Sequence, residues 1–397
     1  MEAKEWYGMI DFVFQNPAKI IFGRDALSHL GEEVLHYSNK VLLVYGGGSV
    51  KRNGLFTQVM EILNSHHVTV WELSGIVPNP RLSRVYEGID ICRRNEIGLV
   101  LALGGGSAID TAKAIVNGVP YAGDVWDFYC GKAQPKEVLP LGTILTIPAA
   151  GSEMSYSCVI TNENGMLKRG YNSITHVPKF SILNPEWSFS LPPYQTACGC
   201  VDIIAHMMER YFTHVEHVEL TDRLITAGIK TVLNNSPTVM EKPDDYDARA
   251  EIMWAGALAH NTLLNTGRLG DWGSHKLEHE LSATYDIAHG AGLAIIFPAW
   301  MKYATNQHPK KIVQFAVDIF DVPLDFGSKT EIALEGIRRL ETFYQSLGMP
   351  IRLSEADIVD CDYTALVNRA LPTEESVVGE YIKLHRQDMV EIYKLAE

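Results

Sequence analysis

The chain has 397 residues, of which 46% are hydrophobic and 21% charged, and its formal net charge is -14 at pH 7. The length predicts two domains, and the acidic charge argues against non-specific binding to nucleic acid or to an anionic membrane. No apolar run approaches the roughly 20 residues that span a bilayer, and residues 1–7 lack the cationic start of a signal peptide. The six cysteines have no framework spacing and are expected to be reduced thiols. We therefore expect a cytoplasmic protein that associates with neither nucleic acid nor membrane.

Short β-rich runs alternate with helical stretches in the first half of the chain. Continuous apolar strands separated by helices indicate a parallel sheet covered on both faces. In such sheets, ligands bind beyond the carboxyl ends of the strands. We predict an α/β dinucleotide-binding domain over residues 1–190. Its predicted strands are Lys40–Tyr45, Val68–Leu73, Gly98–Leu103 and Thr143–Ile147.

Two of these strands end in three glycines and a serine. Glycines let the backbone approach a pyrophosphate, and the following helix offers free amides and the positive end of its dipole. In the second turn, Ser107 is expected to cap the helix or to bond a phosphate, and Asp110 to contact the cofactor or to complement the dipole. Neither turn matches G-x-G-x-x-G or a P-loop, so the prediction depends on both turns together. They are Gly46, Gly47, Gly48 and Ser49, and Gly104, Gly105, Gly106 and Ser107.

The first turn bears on which nicotinamide dinucleotide is bound. NAD recognition usually needs an acidic residue that accepts from the ribose 2′-hydroxyl, whereas a 2′-phosphate is repelled by one. Residues 45–52 offer amides, a hydroxyl and two cations, Lys51 and Arg52, but no carboxylate. This composition favours NADP(H). The alternative is a plain glycine turn whose two basic residues are solvated.

After Leu183-Asn184-Pro185 the pattern changes, and from Pro193 onward helical periodicity dominates. We predict an all-helical metal-binding and catalytic domain over residues 191–397, with a hinge at residues 191–193. A cleft between the two domains is expected to bring glycine turns and metal ligands together. Helical interruptions are predicted at residues 234–237, 242–245, 267–273 and 306–309.

One carboxylate and several imidazoles in the helical half suggest a metal site. Asp202 and His206 stand at i and i+4, so in a helix both project from one face. His275 and His279 repeat this spacing, and His289 follows. Such a set suits a divalent metal of borderline softness, zinc or ferrous iron. Because the chain has 14 histidines, coincidence is the alternative.

Some neighbouring residues are expected to have no role in metal binding. Glu278 and Glu280 flank His279 in sequence but point elsewhere on a helix, and we expect both to be solvated. Cys198 and Cys200 are expected to pack rather than to bind metal, because an i, i+2 spacing is poor for a shared ion.

Several longer segments together resemble the iron-containing (group III) alcohol dehydrogenases, in particular the NADPH-dependent butanol dehydrogenase and aldehyde reductase branch. The similarity runs from Lys19 to about residue 350 and is most specific at His275–Pro298. The other matching segments are Tyr-Gly-Gly-Gly-Ser-Val-Lys-Arg-Asn-Gly at 45–54, Gly-Ile-Val-Pro-Asn-Pro-Arg at 75–81, Gly-Gly-Gly-Ser-Ala-Ile-Asp at 104–110 and Ala-Gly-Ser-Glu-Met at 150–154.

The resemblance implies a Rossmann-like α/β domain, an all-α domain and a dehydroquinate synthase-like architecture. It implies the metal ligands Asp202, His206, His275 and His289, and a nearby His279 that relays a proton. It further implies that the two glycine turns contact the adenosine phosphate and the pyrophosphate, and that the protein forms a homodimer. Residues implied at the cofactor are Thr146, Lys168 beside the 2′-phosphate, and Pro78 and Asn79 on the adenine side.

The implied activity is hydride transfer between NADP(H) and a primary alcohol or aldehyde, with one Fe2+ or Zn2+ ion. One departure is Ala150, where many relatives have threonine, so a hydroxyl near the cofactor is missing. A dehydroquinate synthase-like lyase would pair the same cofactors, but it needs a cluster of cations that the helical half lacks. A non-enzymatic nucleotide-binding protein with a structural metal is the third possibility, and it would unfold when the metal is removed.

Overall fold

The computed structural model describes residues 8–397, and residues 1–7, part of the basis for expecting no signal peptide, lie outside it. The described chain divides into two compact units. The α/β unit comprises residues 15–192 and 242–261, and the helical unit comprises residues 8–14, 193–241 and 262–397. No helix within 8–397 combines the length and the apolar composition that crossing a membrane requires.

The strands are β1 Lys19–Phe22, β2 Lys40–Gly46, β3 Thr69–Ile76, β4 Leu99–Gly104, β5 Leu141–Leu145, β6 Ser157–Asn162, β7 Leu167–Asn172 and β8 Phe180–Leu183. The helices are α1 Leu30–Leu35, α2 Ser49–Arg52, α3 Leu55–Ser65, α4 Leu82–Asn95, α5 Gly106–Gly118, α6 Trp126–Tyr129, α7 Pro193–Tyr211, α8 Glu219–Glu241, α9 Tyr246–Ala259, α10 Gly273–Tyr285, α11 His289–Thr305, α12 Pro309–Phe320, α13 Lys329–Ser346, α14 Tyr363–Ala370 and α15 Arg386–Leu395.

Six strands of the α/β unit form one parallel sheet in the order β1-β8-β5-β4-β2-β3. Both faces of this sheet are covered. In β2, Val41 and Leu43 belong to a core with α1 and α3, whereas Leu42 and Val44 belong to a core with α4 and α5. Because alternate side chains enter two different cores, the strand reads as a continuous apolar run. The predicted parallel sheet is confirmed.

The sheet also contains strands that the pattern did not predict. β1 and β8 have four residues each, too short to show a period. The antiparallel hairpin β6–β7 was not predicted either. β5 spans Leu141–Leu145 rather than residues 143–147. The ladder with β4 ends at the pair Gly104 and Leu145.

Residues 242–261 group with the α/β unit although they follow the first helices of the helical half. Met253 and Ala257 of α9 lie in the same core as α4 and α5. At its start, the Tyr246 ring lies 3.9 Å from the Arg24 guanidinium carbon, a cation–π contact. These contacts join α9 to the α/β unit. The predicted boundary at residue 190 assigns the same residues to the helical domain.

In the helical unit, α11 is buried along most of its length, and residues 196–211 of α7 are almost wholly buried. The predicted interruption at residues 234–237 is wrong, because α8 continues through Pro237. Just before the proline, polar side chains bond back to the helix backbone: Asn235 donates to the Thr231 carbonyl at 2.8 Å and Ser236 to the Val232 carbonyl at 2.6 Å. The predicted interruptions at 242–245 and 306–309 separate α8 from α9 and α11 from α12.

Candidate functional site

Helix α7 carries the first two predicted metal ligands side by side. Asp202 and His206 are 5% and 4% exposed, so both side chains are removed from bulk water. His206 Nδ1 lies 2.9 Å from Asp202 Oδ1 and also contacts the Asp202 carbonyl oxygen at 2.9 Å. The two side chains are therefore neighbours on one face of the helix, as their i, i+4 spacing predicts.

Helices α10 and α11 bring the other histidines to this pair. Donor atoms of Asp202, His275 and His289 lie within 4.8 Å of one another. The His206 and His275 ring centroids are 4.7 Å apart. His279 lies one turn further along α10, with its ring centroid 5.6 Å from that of His289. All five residues come together within the helical unit.

Two buried carboxylates hold the imidazoles of this cluster. Glu209, on α7, accepts from His275 Nδ1 at 2.7 Å, and Glu278, on α10, accepts from His289 Nδ1. Both glutamates are fully buried. A carboxylate on Nδ1 fixes the imidazole tautomer in which Nε2 carries the lone pair, as in many metal sites.

The expectation that Glu278 and Glu280 are solvated is wrong. Glu278 also accepts from Ser282 Oγ and lies against Gly292, where an added Cβ would be 2.7 Å from Glu278 Oε1. Glu280 is 5% exposed and pairs with Arg369 at 3.2 Å. Both glutamates do point away from His279, but α11 covers Glu278 and α14 covers Glu280. Sequence periodicity does not show which neighbouring elements cover a helix.

The donor set fits a divalent metal. His275 Nε2 is a buried nitrogen without a hydrogen-bond partner in the described residues. It belongs to the cluster with Asp202 and His289, and the His206 ring is adjacent. One carboxylate and three imidazoles are ligands that zinc and ferrous iron accept. Glu278, His279 and His289 form an overlapping group, but the Glu278 carboxylate already accepts from His289 Nδ1.

The electrostatics of the cluster favour the forms that bind metal. Burial would raise the pKa of Asp202, but the nearby imidazoles of His206, His289 and His275 lower it below its usual value. Burial and the neighbouring imidazoles lower the pKa of His275 well below its usual value. Near neutral pH Asp202 is therefore ionised and His275 neutral, which are the protonation states of ligands. Burial raises the pKa of Glu209 to about 7, an effect that the backbone amides of His275 and Trp272 oppose.

The two glycine turns lie at one edge of the sheet in the α/β unit. β2 and β4 are parallel neighbours, so the turns that follow Gly46 and Gly104 leave from the same side. In the first turn Gly48 has φ +112°, a conformation that suits glycine, and Ser49 begins α2. In the second turn the cap residue of α5 is Gly105 rather than Ser107, and no side chain caps this helix. The capping alternative for Ser107 is therefore wrong.

The loop after β5 packs directly on the second glycine turn. An added Cβ at Gly105 would lie 3.0 Å from Ile147 Cβ, and one at Gly106 would lie 3.4 Å from Ala150 Cβ. The Ala150 methyl therefore faces the second glycine turn. Thr146 is 7% exposed, and its amide donates to the Gly104 carbonyl at 3.0 Å.

Asp110 is bonded to this loop and interacts electrostatically with Lys168. The Asp110 carboxylate accepts from Ser152 Oγ at 2.6 Å and from the Val159 amide at 2.9 Å. Burial raises the pKa of Asp110, whereas the positive charges of Lys113 and Lys168 lower it. These bonds join α5 to the loop and to β6, a structural use of Asp110 that the sequence did not reveal.

Pro78 and Asn79 lie after β3, at the same edge of the sheet. Pro78 is exposed and Asn79 is buried with φ +53°. The Pro80 carbonyl accepts from the Thr161 amide at 2.8 Å, so this segment is tied to β6. The roles predicted for the loop and turn residues at the cofactor stay predictions.

Glu209 and Lys113 are the functional candidates that the sequence analysis did not identify. Glu209 follows Asp202 and His206 on α7 at i+7 and i+3, a spacing that places it on the same helix face. That spacing was the available signal. Lys113 is fully buried and donates to the Ser155 and Ser157 carbonyls, each at 2.8 Å. The sequence of α5 does not indicate that its lysine is buried.

Comparison with known proteins assigns the chain to a family. The profile "Iron-containing alcohol dehydrogenase" matches residues 17–185, and "Fe-containing alcohol dehydrogenase family, C-terminal" matches residues 196–396. The probable NADH-dependent butanol dehydrogenase 1 of Bacillus subtilis is 44% identical over 97% of this chain and 99% of its own length. The NADPH-dependent aldehyde reductase YqhD of Escherichia coli is 32% identical over 94% of this chain and 96% of its own length.

Solved structures agree with this result. The NADH-dependent butanol dehydrogenase A of Thermotoga maritima has a TM-score of 0.94 and 41% sequence identity, with 98% of this chain and 99% of that chain covered. The match therefore includes both the α/β unit with its glycine turns and the helical unit with its histidine cluster. The chain belongs to the iron-containing alcohol dehydrogenase family.

Proposed function

We propose that this protein is a metal-dependent oxidoreductase that transfers a hydride between NADP(H) and a primary alcohol or aldehyde of the butanol and butanal type. The observation that carries the proposal is the convergence of Asp202, His275 and His289, with the unpartnered Nε2 of His275 inside the cluster. Names of relatives support it, since both butanol dehydrogenases and an aldehyde reductase are among them.

We propose distinct tasks for the two sets of residues. Asp202, His206, His275 and His289 would hold the metal, which when bound supplies a Lewis acid for the substrate oxygen. The turns at 46–49 and 104–107 would bind the dinucleotide phosphates through backbone amides, with Asp110, Thr146, Lys168, Pro78 and Asn79 nearby. His279 is partly exposed, so it can exchange a proton with water and pass it to the alkoxide oxygen of the product.

The choice of NADP(H) rests on the first glycine turn. Gly47 and Ser49 are exposed, and an added Cβ at Gly47 would meet nothing within 4 Å, which leaves room for a phosphate. Lys51 is 3.4 Å from Glu72, whereas the Arg52 guanidinium lies 3.7 Å from the Cβ position of Gly48. Arg52 is thus proposed, in addition to Lys168, as a cation that meets a 2′-phosphate. The names of several relatives instead specify NADH, so the two cofactors must be compared directly.

The decisive assay is oxidation of NADPH by the purified protein with butanal. It is run on the protein as isolated, after chelation, and after Fe2+ or Zn2+ is added back, with NADH in parallel. We expect turnover that chelation removes and metal restores, with a higher kcat/KM for NADPH. A higher kcat/KM for NADH would overturn the NADP(H) assignment alone. Absence of turnover with every metal and both dinucleotides would overturn the proposed reaction, and unfolding on chelation would favour a structural metal.

A further inference from the structure

Glu209 is a carboxylate beside the histidine cluster that accepts three hydrogen bonds from one segment of the chain. It is fully buried in the helical unit. Its Oε1 accepts from His275 Nδ1 at 2.7 Å and from the His275 amide at 3.0 Å. Its Oε2 accepts from the amide of Trp272. The carboxylate therefore receives one side-chain donor and two backbone donors from a single segment.

That segment has an unusual backbone that directs its amides at Glu209. Trp272 has φ +65°, a left-handed conformation that is uncommon for a large side chain. Gly270 packs so closely that an added Cβ would lie 2.7 Å from the Glu209 carbonyl oxygen, and the Asp271 amide donates to that oxygen at 2.8 Å. Glu209 thus occupies the N-terminus of α10, where free amides and the helix dipole favour a negative charge.

The same bonds fix the position of His275. Because Glu209 is held by two amides of the α10 N-terminus, its third bond keeps the His275 ring in one orientation. The carboxylate requires a hydrogen on Nδ1, which leaves the lone pair on Nε2, an atom that has no hydrogen-bond partner among residues 8–397. A carboxylate that accepts from Nδ1 also makes the imidazole a stronger donor to a metal through Nε2.

We propose that Glu209 is a positioning residue that sets the orientation, the tautomer and the donor strength of His275, and so determines how tightly the divalent metal is held. This inference rests on the proposed metal site. Glu209 itself need not contact the metal, since both its oxygens are occupied by donors. Its effect is transmitted through the 2.7 Å bond to Nδ1.

Glu209→Gln is the sharpest test because it keeps the size of the side chain. An amide has one oxygen and one NH2 group, whereas the site offers N–H donors to both positions. Either Trp272 or His275 must then face an NH2 group. We expect the affinity for Zn2+, measured by competition with a chromophoric chelator, to fall about 10- to 100-fold.

Two further variants separate positioning from simple loss of stability. Glu341→Gln removes another nearly buried carboxylate of the helical unit, which pairs with Lys302 at 2.6 Å and Arg352 at 2.8 Å, and should leave Zn2+ affinity within about twofold. Glu209→Asp keeps the charge at a shorter reach and provides a second variant should Glu209→Gln fail to fold. With Co2+ as probe, its visible absorption spectrum should differ from that of the wild type, because the His275 ring is reoriented.

The outcomes distinguish the inference from the proposed function. The inference would be overturned if a folded Glu209→Gln variant bound Zn2+ with wild-type affinity. It would also be overturned if Glu209→Asp had both wild-type Zn2+ affinity and an unchanged Co2+ spectrum. In either case Glu209 would be only a helix cap. An equal loss in Glu341→Gln would also overturn it, because the effect would then be general destabilisation. A wild-type protein that binds neither Zn2+ nor Co2+ would instead overturn the metal site itself, and the inference with it.

Discussion

Asp271 is a buried carboxylate that backbone amides hold in place. Its Oδ1 accepts from the amides of Glu380, Tyr381 and Ile382 at 2.8–3.0 Å, and its Oδ2 from the amide of Gly273 at 3.0 Å. It thereby ties the segment before α15 to the start of α10. Burial and the neighbouring charge of Glu209 nevertheless raise the pKa of Asp271 to about 7.

This raised pKa predicts a pH-dependent contribution to stability. The folded state binds a proton more tightly than the unfolded state, so the contribution of Asp271 is full below its ordinary pKa and is lost as pH rises from about 4 to about 7. The difference in free energy of unfolding between wild type and Asp271→Asn should therefore shrink by about 2 kcal/mol between pH 5 and pH 8. Urea unfolding at both pH values measures it, and a difference that grows with pH would contradict the prediction.

His279 lies near the ligands but has a different predicted role. His279→Ala should lower kcat by about 100-fold, because a proton-transfer group is lost, while bound metal stays near the wild-type amount. The pH profile of kcat should change as well. Metal analysis and rates across pH measure both effects, with His275→Ala as the comparison that loses metal and turnover together. A His279→Ala profile identical to wild type would remove the relay role.

At the scale of elements, close approach of α7 and α11 places Asp202 near His289. An added Cβ at Gly290 would overlap the carbonyl oxygen of Cys198, so the helices touch backbone to backbone at that point. His289 is the first residue of α11, immediately before this contact, and its Nε2 lies 3.8 Å from Asp202 Oδ1. Helix packing therefore sets the distance between Asp202 and His289, two proposed ligands that are far apart in sequence.

Gly290→Ala should consequently damage the metal site as well as the fold. We expect the free energy of unfolding to fall by about 1–3 kcal/mol through overpacking, and the Zn2+ affinity to fall at least about tenfold. Gly336→Ala is the matched control, since its Cβ would overlap Ala316 where α13 packs on α12. That control should lose stability but keep Zn2+ affinity. Equal Zn2+ affinities in the two variants would contradict a positional role for the α7–α11 contact.

At the scale of the whole molecule, the proposed metal ligands and the glycine turns belong to different units. Asp202, His206, His275 and His289 all lie in the helical unit, and both glycine turns lie in the α/β unit. The α/β unit has its own hydrophobic cores on the two faces of its sheet. Each unit can therefore respond to its own ligand, because a ligand stabilises the structure that it binds.

Hydrogen–deuterium exchange should resolve these two responses. Zn2+ added to the metal-free protein should most strongly protect residues 202–211 and 273–293, whereas NADPH should most strongly protect the turns at 46–49 and 104–107. Peptide-level mass spectrometry measures both, and His275→Ala is the control that should abolish only the Zn2+ response. Zn2+ protection concentrated in the sheet strands would contradict the assignment of the ligands to the helical unit.

The sequence by itself predicted the parallel sheet, the two glycine turns at strand ends and the histidine pairs on helices. The sheet followed from continuous apolar runs separated by helical stretches, the turns from runs of glycine, and the histidine pairs from the helical period of about four residues. Asp202 and His206 are neighbours because helix geometry makes them so. The family resemblance predicted the fold and the site residues over nearly the whole chain, whereas local periods predict single elements only.

Only the tertiary structure decided what covers each helix. Glu278 is buried because α11 passes over it, and Glu209 receives amides from a segment some sixty residues later in the chain. Residues 242–261 join the sheet through Met253 and Ala257, although their neighbours in sequence belong to the helical unit. A periodic pattern states which face of an element is apolar or polar, but not which distant segment meets it. For that physical reason the cluster's histidines were predictable, whereas the histidine that each buried carboxylate contacts was not.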